Sequence, residues 1–209
     1  MWYLEKAITR KMNNGPITTI NTGKFYKVYD DVVPQYLQDY IELIALGKKG
    51  KTEDVINPAL DFKAKYEITA EEDNQTPLSF VHLLKSHTTT SSHLENFGMI
   101  PVAVCNNNNW TLDNILLARC FVSVPHETKL EHYAPHTDLN IEHTVMIYYV
   151  NDADGDTILF NDQGNVMKSV TPKKGRVLVF DGSILHSGGI PKKGPRCIVN
   201  YDVKVTKWK

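Results

Sequence analysis

The chain has 209 residues, of which 42% are hydrophobic, and its formal net charge at pH 7 is −1. This length suits one domain with a sizeable core, and a charge so near zero provides no general attraction to nucleic acid or to an anionic membrane. No stretch approaches the roughly 20 apolar residues of a membrane span. The three cysteines, Cys105, Cys120 and Cys197, lack metal-ligand spacing, so we expect reduced thiols in a cytoplasmic protein.

The N-terminal part of the chain predicts a strand followed by a helix. Residues 24–29 have the composition of a strand, and residues 34–46 carry apolar side chains at helical spacing up to Gly47. Tyr36 and Tyr40 belong to this apolar stripe, and we expect both rings in the core.

The next elements are predicted from shorter patterns. Residues 63–69 indicate a strand, residues 77–86 a helix that begins at a proline, and residues 94–104 a short helix and a strand. We interpret residues 1–110 as a region of helices and strands that supports the rest of the domain.

From residue 112 onward, short apolar strands follow one another at spacings of roughly 10 to 15 residues, separated by Gly, Asn, Asp and Pro. This pattern is typical of a β-sandwich or barrel, and the metal-binding form of that architecture is the jelly roll. We therefore predict one mainly β domain over residues 1–209, with supporting helices and a jelly-roll core at residues 112–203.

Three side chains are candidate metal ligands. His136 and Asp138 stand two residues apart, so in an extended backbone they point to the same face. His186 closes the apolar run 177–186, where we expect a strand to give way to a turn, and it can supply a third ligand. Two imidazoles and one carboxylate on one side of an ion leave the opposite coordination positions open, as in non-haem Fe(II) oxygenases.

A single His-x-Asp pair is often only a loop contact, so the segments that follow it matter. A β-branched and aromatic strand occupies residues 144–152, residues 154–160 add a turn and another strand, and Arg196 stands ten residues after His186. With this ordered set, residues 112–203 resemble the Fe(II)/2-oxoglutarate-dependent dioxygenases, in particular their prolyl 4-hydroxylase-like branch.

The resemblance implies a double-stranded β-helix that uses Fe(II), with 2-oxoglutarate and O2 as cosubstrates and ascorbate as a further candidate cofactor. It makes His136, Asp138 and His186 the iron ligands, and it assigns Arg196 and Tyr149 to the distal carboxylate of 2-oxoglutarate. A planar guanidinium independently suits a carboxylate, which it can bind with two charge-assisted hydrogen bonds. Asn200, four residues after Arg196 on the same strand face, is a candidate polar contact to substrate or cosubstrate.

The resemblance favours hydroxylation of a prolyl residue in a peptide or protein, with two departures. The positions nine and ten residues before His136, where prolyl hydroxylases often have a tyrosine, hold Glu127 and His126. The distal basic residue is Arg196, where collagen-type enzymes have lysine.

Other functions stay open. A free amino acid or small metabolite is an alternative substrate, whereas Asp202 stands where nucleic-acid demethylases carry a second arginine, which argues against nucleic acid. A non-catalytic, cupin-like metal-binding module is the alternative from another class, although structural zinc calls for four protein ligands. The oligomeric state is not determined by these patterns.

Four neighbouring features have ordinary interpretations. His132 and His143 are expected to be surface or strand-pairing residues, although either could contact the site. Residues 154–156, Asp-Gly-Asp, indicate a turn. Asp181 also belongs to a turn but could orient a ligand histidine.

Overall fold

The structure is a computed structural model that describes residues 18–19, 24–47, 60–65 and 79–207. The elements in chain order are β1 (Thr18–Thr19), β2 (Phe25–Tyr29), α1 (Gln35–Leu46), β3 (Lys63–Lys65), β4 (Ser79–Lys85), α2 (Leu94–Phe97), α3 (Met99–Asn107), β5 (Trp110–Ser123), β6 (Thr144–Tyr149), β7 (Thr157–Phe160), β8 (Val166–Val170), β9 (Val177–Asp181), β10 (His186–Gly188) and β11 (Arg196–Lys207). None of the described helices is long and apolar enough to cross a membrane.

The described strands form two antiparallel sheets. The main sheet has the order β1-β2-β9-β6-β11-β5-β4-β3, and the small sheet has the order β10-β7-β8. The backbone before the first candidate ligand also pairs with β10, because Tyr133 N donates to Gly188 O at 2.9 Å. The predicted mainly β, double-stranded β-helix fold is confirmed.

Alternate residues of the central strand β6 enter two different cores. Val145, Ile147 and Tyr149 pack between the sheets with Leu159 of the small sheet. Met146 belongs to a second cluster, which the main sheet forms with α1 and α3 on its other face. Because both faces are covered, every residue of β6 is buried, and this strand forms a rigid support behind the site.

Helix α1 forms where the periodicity predicts it, but its aromatic residues lie outside the core. Leu37, Ile41 and Ile44 are buried, whereas Tyr36 is 71% exposed and Tyr40 is 37% exposed. The prediction that these tyrosines are core residues is therefore wrong. Successive positions on a helix are rotated by about 100°, so residues 36 and 40 lie one step outside the buried stripe.

The prediction of a helix at residues 77–86 is wrong, because Ser79–Lys85 form strand β4; residues 77 and 78 lie outside the described ranges. Ser79 to Leu83 pair antiparallel with Ser123 to Arg119 of β5, so long-range pairing overrides a local apolar pattern that fits either element. The predicted strand within residues 94–104 is also wrong, since α2 and α3 occupy this region. Strand β3 lies within the predicted strand 63–69, of which residues 66–69 fall outside the described ranges.

The division into a support region at 1–110 and a core at 112–203 stays a prediction. Strands from the first region nevertheless extend the main sheet at both ends, because β2 pairs with β9 and β4 pairs with β5. The jelly-roll core is therefore continuous with strands that precede it in the chain.

Candidate active site

The two candidate histidine ligands lie directly opposite each other on neighbouring backbone segments. His136 N donates to His186 O, and His186 N donates to His136 O, each at 3.0 Å. Residues paired in this way project their side chains to the same side, and the ring centroids are 4.7 Å apart. Backbone pairing thus brings together two residues that are far apart in sequence.

Backbone carbonyls set the orientation of both imidazoles. His136 Nδ1 is 3.0 Å from Ala134 O, and His186 Nδ1 is 3.3 Å from Ile184 O. Because a carbonyl oxygen only accepts, Nδ1 carries a proton in each ring, so Nε2 is the nitrogen of each ring that can bind a metal ion.

Asp138 completes the group, although its backbone differs from the one predicted. It lies in a bend, not in an extended strand, yet its Oδ2 is 3.3 Å from His186 Nε2 and its Oδ1 is 4.0 Å from His136 Nε2. The expected position of His186 at a strand end is also wrong. Strand β9 ends at Asp181, a turn follows, and His186 begins β10.

These three residues fit a divalent transition-metal ion. One ligand atom from each residue lies within 4.8 Å of the others, and bonds of about 2.0–2.2 Å would place them roughly 3 Å apart, so a small contraction suffices. Two imidazole nitrogens and one carboxylate oxygen on one side are the donor set of the non-haem iron oxygenases.

The protonation states also suit metal binding. Burial, and the nearby His186, lower the pKa of His136. Burial acts to raise the pKa of Asp138, but the hydrogen bond with His186 and the charge of Arg119 outweigh it and hold that pKa well below its usual range. A neutral imidazole and an ionised carboxylate are the forms that bind metals.

A cavity of about 300 Å³ adjoins these ligands. Its floor is made by residues that face each other across β11 and β5 in the pairs Arg196–Ser123, Ile198–Phe121 and Asn200–Arg119. Successive pairs are two residues apart, so all six side chains share one face. The cavity therefore has two polar ends separated by an apolar middle.

Arg196 lies at one polar end of the cavity, in the neighbourhood of the candidate metal ligands that the sequence predicted for it. It is 3% exposed. Its Nε donates to Gly155 O at 2.7 Å, and its Nη2 donates to Thr157 Oγ1 at 2.8 Å. No acidic side chain lies within 4.0 Å of it among the described residues. Burial lowers the pKa of Arg196, but a guanidinium stays protonated in proteins, so the cavity contains a positive charge without a carboxylate partner.

Neutral polar groups that the sequence patterns did not single out surround Arg196. Ser79 Oγ is buried and makes no hydrogen bond with the described residues. The Tyr133 hydroxyl points towards Ser123 without a hydrogen bond of standard geometry, and burial raises its pKa. Ser123 could have been predicted to line the site, because it stands two residues from Phe121 on the same strand face. Tyr133 could not, because it lies in a segment that was not predicted to be a strand.

Tyr149, predicted to contact the cosubstrate, is fully buried and is not among the residues that line the cavity. Its hydroxyl donates to Thr157 Oγ1 at 2.8 Å, the same atom that accepts from Arg196. Burial raises the pKa of Tyr149 to about 12. The structure thus connects Tyr149 to Arg196 only through Thr157.

Asn200 lines the cavity, and its side chain contacts a candidate metal ligand. Its Nδ2 donates to Asp138 Oδ2 at 3.0 Å. On the other side of the same carboxylate, Arg119 Nη2 donates to Oδ1 at 2.5 Å. Arg119 was not singled out in the sequence, because its role depends on which strand residues face each other.

The turn at residues 154–156 positions Arg196. Asp154 accepts from the backbone N–H of Lys192, and the carbonyl of Gly155 accepts from Arg196. Gly155 has a φ of +85°, and a Cβ there would lie 2.7 Å from Gly189 O. Only glycine fits this backbone, so the ordinary turn predicted here has a specific structural role.

The remaining candidates separate clearly. His132 pairs with Gly189 through its backbone, and its ring lies 5.6 Å from that of Phe160, as expected of a strand-pairing residue. Asp181 accepts from both Ser183 N and Ser183 Oγ, so it stabilises its own turn and is not the residue that orients a ligand histidine. His143 is different: its Nε2 lies 3.4 Å from Asp202 Oδ1 in the interior.

No protein-family model and no curated protein matches the sequence. Solved structures do match the fold. A prolyl hydroxylase from Trichoplax adhaerens, in complex with a peptide fragment of the hypoxia inducible factor oxygen degradation domain, is similar with a TM-score of 0.57 at 10% identity, over 85% of this chain and 83% of that chain.

Two bacterial structures give the same result. A Pseudomonas putida prolyl-4-hydroxylase has a TM-score of 0.53 at 13% identity, over 86% of this chain and 91% of that chain. An oxidoreductase of the 2OG-Fe(II) oxygenase family from Burkholderia pseudomallei has a TM-score of 0.57 at 10% identity, over 86% and 84%. The chain therefore has the jelly-roll fold of the 2-oxoglutarate-dependent oxygenases.

Proposed function

We propose that this protein is an Fe(II)- and 2-oxoglutarate-dependent dioxygenase that hydroxylates a C–H bond. One observation carries the proposal: a single cavity has two imidazoles and a carboxylate at one end and an arginine without a carboxylate partner at the other. A metal ion and a dicarboxylate are the ligands that these two ends suit.

The residues have distinct parts in this proposal. His136, Asp138 and His186 would hold the iron from one side. When bound, iron supplies the activation of dioxygen, which couples conversion of 2-oxoglutarate into succinate and CO2 to oxidation of the substrate. Arg196 would bind the distal carboxylate of 2-oxoglutarate by charge-assisted hydrogen bonds.

The cavity's shape and polarity favour a short dicarboxylate. Phe121 and Ile198 form the apolar pair between the two polar ends, which suits the two methylene groups between the carboxylates of 2-oxoglutarate. Ser79 and Tyr133 contribute buried hydroxyl groups to the same cavity, and neither makes a hydrogen bond with the described residues. Polar groups that are buried without a partner destabilise the protein unless a ligand or water satisfies them, so an anion in this cavity would be stabilised.

Iron-dependent formation of succinate from 2-oxoglutarate tests the proposal. We expect the purified protein to form succinate only with added Fe(II), and His136→Ala to abolish this activity because a ligand is lost. His87→Ala, at an exposed position, is the matched control and should keep full activity. Equal iron-dependent succinate formation in His136→Ala and in the unaltered protein would refute the assignment.

For the substrate, we propose a prolyl residue in a peptide or protein. The support is the sequence resemblance to the prolyl 4-hydroxylase-like branch, together with the similar fold of the Trichoplax adhaerens prolyl hydroxylase, which was solved in complex with a peptide fragment. Incubation with proline-containing peptides should give products heavier by one oxygen atom in mass spectrometry. If no peptide gains oxygen while 2-oxoglutarate is still converted, a free amino acid or small metabolite becomes the better proposal.

A further inference from the structure

Each oxygen of the Asp138 carboxylate is held by a different side chain. Arg119 Nη2 donates to Oδ1 at 2.5 Å, and Asn200 Nδ2 donates to Oδ2 at 3.0 Å. Arg119 and Asn200 face each other on β5 and β11, so the main sheet fixes both donors. The carboxylate side chain is only 2% exposed, and its plane is set by these two contacts.

Arg119 is in turn held from behind by a second carboxylate. Asp202 Oδ2 lies 3.6 Å from Arg119 Nη2, and the Asp202 side chain is fully buried. The same aspartate faces His143, whose Nε2 is 3.4 Å from Asp202 Oδ1. Asp138, Arg119, Asp202 and His143 therefore form a continuous array behind the candidate metal centre, in which all side chains but that of Arg119 are buried.

The far end of this array is rigid. His143 Nδ1 lies 2.6 Å from Ile141 O, so Nδ1 carries a proton. A second proton, between His143 Nε2 and Asp202 Oδ1, would make their close approach favourable. Burial raises the pKa of Asp202, which agrees with such a proton. A Cβ at residue 182 would lie 2.3 Å from the His143 ring, so Gly182 is needed for this packing.

We propose that Arg119, held by Asp202, is a positioning residue that presents Asp138 to the metal through Oδ2 alone. The proposal rests on the proposed function, since it concerns the same metal centre. Oδ2 lies 3.3 Å from His186 Nε2, whereas Oδ1 accepts from Arg119 Nη2 at 2.5 Å and is 4.0 Å from His136 Nε2. Coordination by one oxygen keeps the opposite positions open for a chelating cosubstrate and dioxygen.

Removal of Arg119 distinguishes its role in orienting Asp138 from the repulsion between its charge and the metal ion. A positive charge beside a metal ion opposes cation binding, so its loss alone would tighten metal binding. Loss of a group that orients a metal ligand instead weakens metal binding, typically by about 10- to 100-fold. The two effects have opposite signs, and the sign can be measured without turnover.

The experiment is a Co(II) titration of the full chain, followed by visible absorption. We expect Arg119→Met to bind Co(II) about 10- to 100-fold more weakly, with an altered spectrum because the coordination changes. Arg119→Lys keeps the charge and should recover part of the affinity. Arg176→Met is the matched control, because Arg176 also pairs with an aspartate and is similarly exposed, at 22% against 21% for Arg119.

A second variant tests whether Co(II) binding is weakened by loss of the Asp138 orientation or by destabilisation of the fold. Arg119→Met leaves the buried Asp202 with one fewer cationic neighbour, which could destabilise the fold. Arg119→Met/Asp202→Asn removes this charge, so we expect its thermal stability to recover while Co(II) binding stays weak. Recovery of both would overturn the proposal, as would Co(II) binding by Arg119→Met that equals or exceeds that of the unaltered protein. Failure of the unaltered protein to bind Co(II) would instead refute the proposed function.

Discussion

The two ends of the cavity each contain an arginine on the same face of neighbouring strands, but these arginines have different partners. Arg196 donates to a backbone carbonyl and to the hydroxyl of Thr157. Arg119 donates to one carboxylate and lies beside another, those of Asp138 and Asp202. Both side chains line the same cavity, so the residue type alone does not define their roles.

The partners determine what each end of the cavity can do. A buried guanidinium that meets only neutral acceptors keeps its full attraction for an incoming anion, whereas one between two carboxylates is already neutralised. We infer that the Arg196 end receives a ligand and that the Arg119 end holds a protein group in place. The following substitutions test this difference, from the largest expected effect to the smallest.

Arg196→Met should have the largest effect on the binding of 2-oxoglutarate. It removes the positive charge that would pair with the distal carboxylate, and loss of such a partner typically costs about 2–5 kcal/mol, or at least roughly 30-fold in affinity. Calorimetric titration of 2-oxoglutarate into the metal-loaded protein measures this change. Co(II) affinity should stay within about 3-fold of the unaltered value, in contrast to Arg119→Met. An unchanged 2-oxoglutarate affinity would remove Arg196 from the binding site.

Thr157→Val should destabilise the Arg196 end of the cavity without removing its charge. The substitution keeps the side-chain shape but removes the acceptor for both Arg196 and Tyr149. A buried donor left without a partner costs about 1–3 kcal/mol, so urea unfolding should show a loss of that size. Thr206→Val, at an exposed position, provides the comparison and should change stability by less than about 0.5 kcal/mol.

Tyr149→Phe separates the indirect role seen in the structure from the direct contact predicted from the sequence. The change removes one hydrogen bond to Thr157, so we expect a loss of about 0.5–1.5 kcal/mol in stability and less than roughly a 3-fold change in 2-oxoglutarate affinity. A loss of affinity as large as that of Arg196→Met would show that Tyr149 contacts the ligand directly.

Asp30 and Arg176 provide a more exposed aspartate–arginine pair for comparison, because the Asp30 side chain is 35% exposed and that of Asp138 is 2% exposed. The hydrogen bond from Arg176 lowers the pKa of Asp30. A carboxyl group whose pKa is lowered by folding stabilises the protein above its unfolded pKa of about 3.9 and loses this contribution as pH falls through the folded value.

Asp30→Asn should therefore cost stability near neutral pH and little at acidic pH. Because Asp30 is 35% exposed, solvent screening limits the effect to less than about 1 kcal/mol. Urea unfolding at pH 7 and at pH 3 measures it. A difference between the variant and the unaltered protein that grows as pH falls would have the wrong sign for this pair.

The sequence alone predicted the candidate site residues whose chemistry and spacing are distinctive. His136, Asp138, His186 and Arg196 line one cavity, because backbone pairing places segments that are far apart in sequence side by side. The local backbone was harder to predict, since Asp138 reaches the site from a bend and not from a strand.

The remaining residues depend on strand register, which sequence patterns do not provide. Arg119 contacts Asp138 because it faces Asn200 across two strands, and Ser79 reaches the cavity because residues predicted as a helix form β4 and pair with β5. The family resemblance assigned Tyr149 to the cosubstrate, but in the structure its hydroxyl donates to Thr157 Oγ1. Tertiary pairing decides each of these cases.

Visible absorption of the Fe(II)-loaded protein under anaerobic conditions tests the central claim most directly. Addition of 2-oxoglutarate should produce a saturable charge-transfer band in the unaltered protein, because the metal and the arginine bind opposite ends of one molecule. In Arg196→Met the same band should require a far higher 2-oxoglutarate concentration. Absence of the band from iron-loaded, unaltered protein, or identical titrations of the two proteins, would contradict the account.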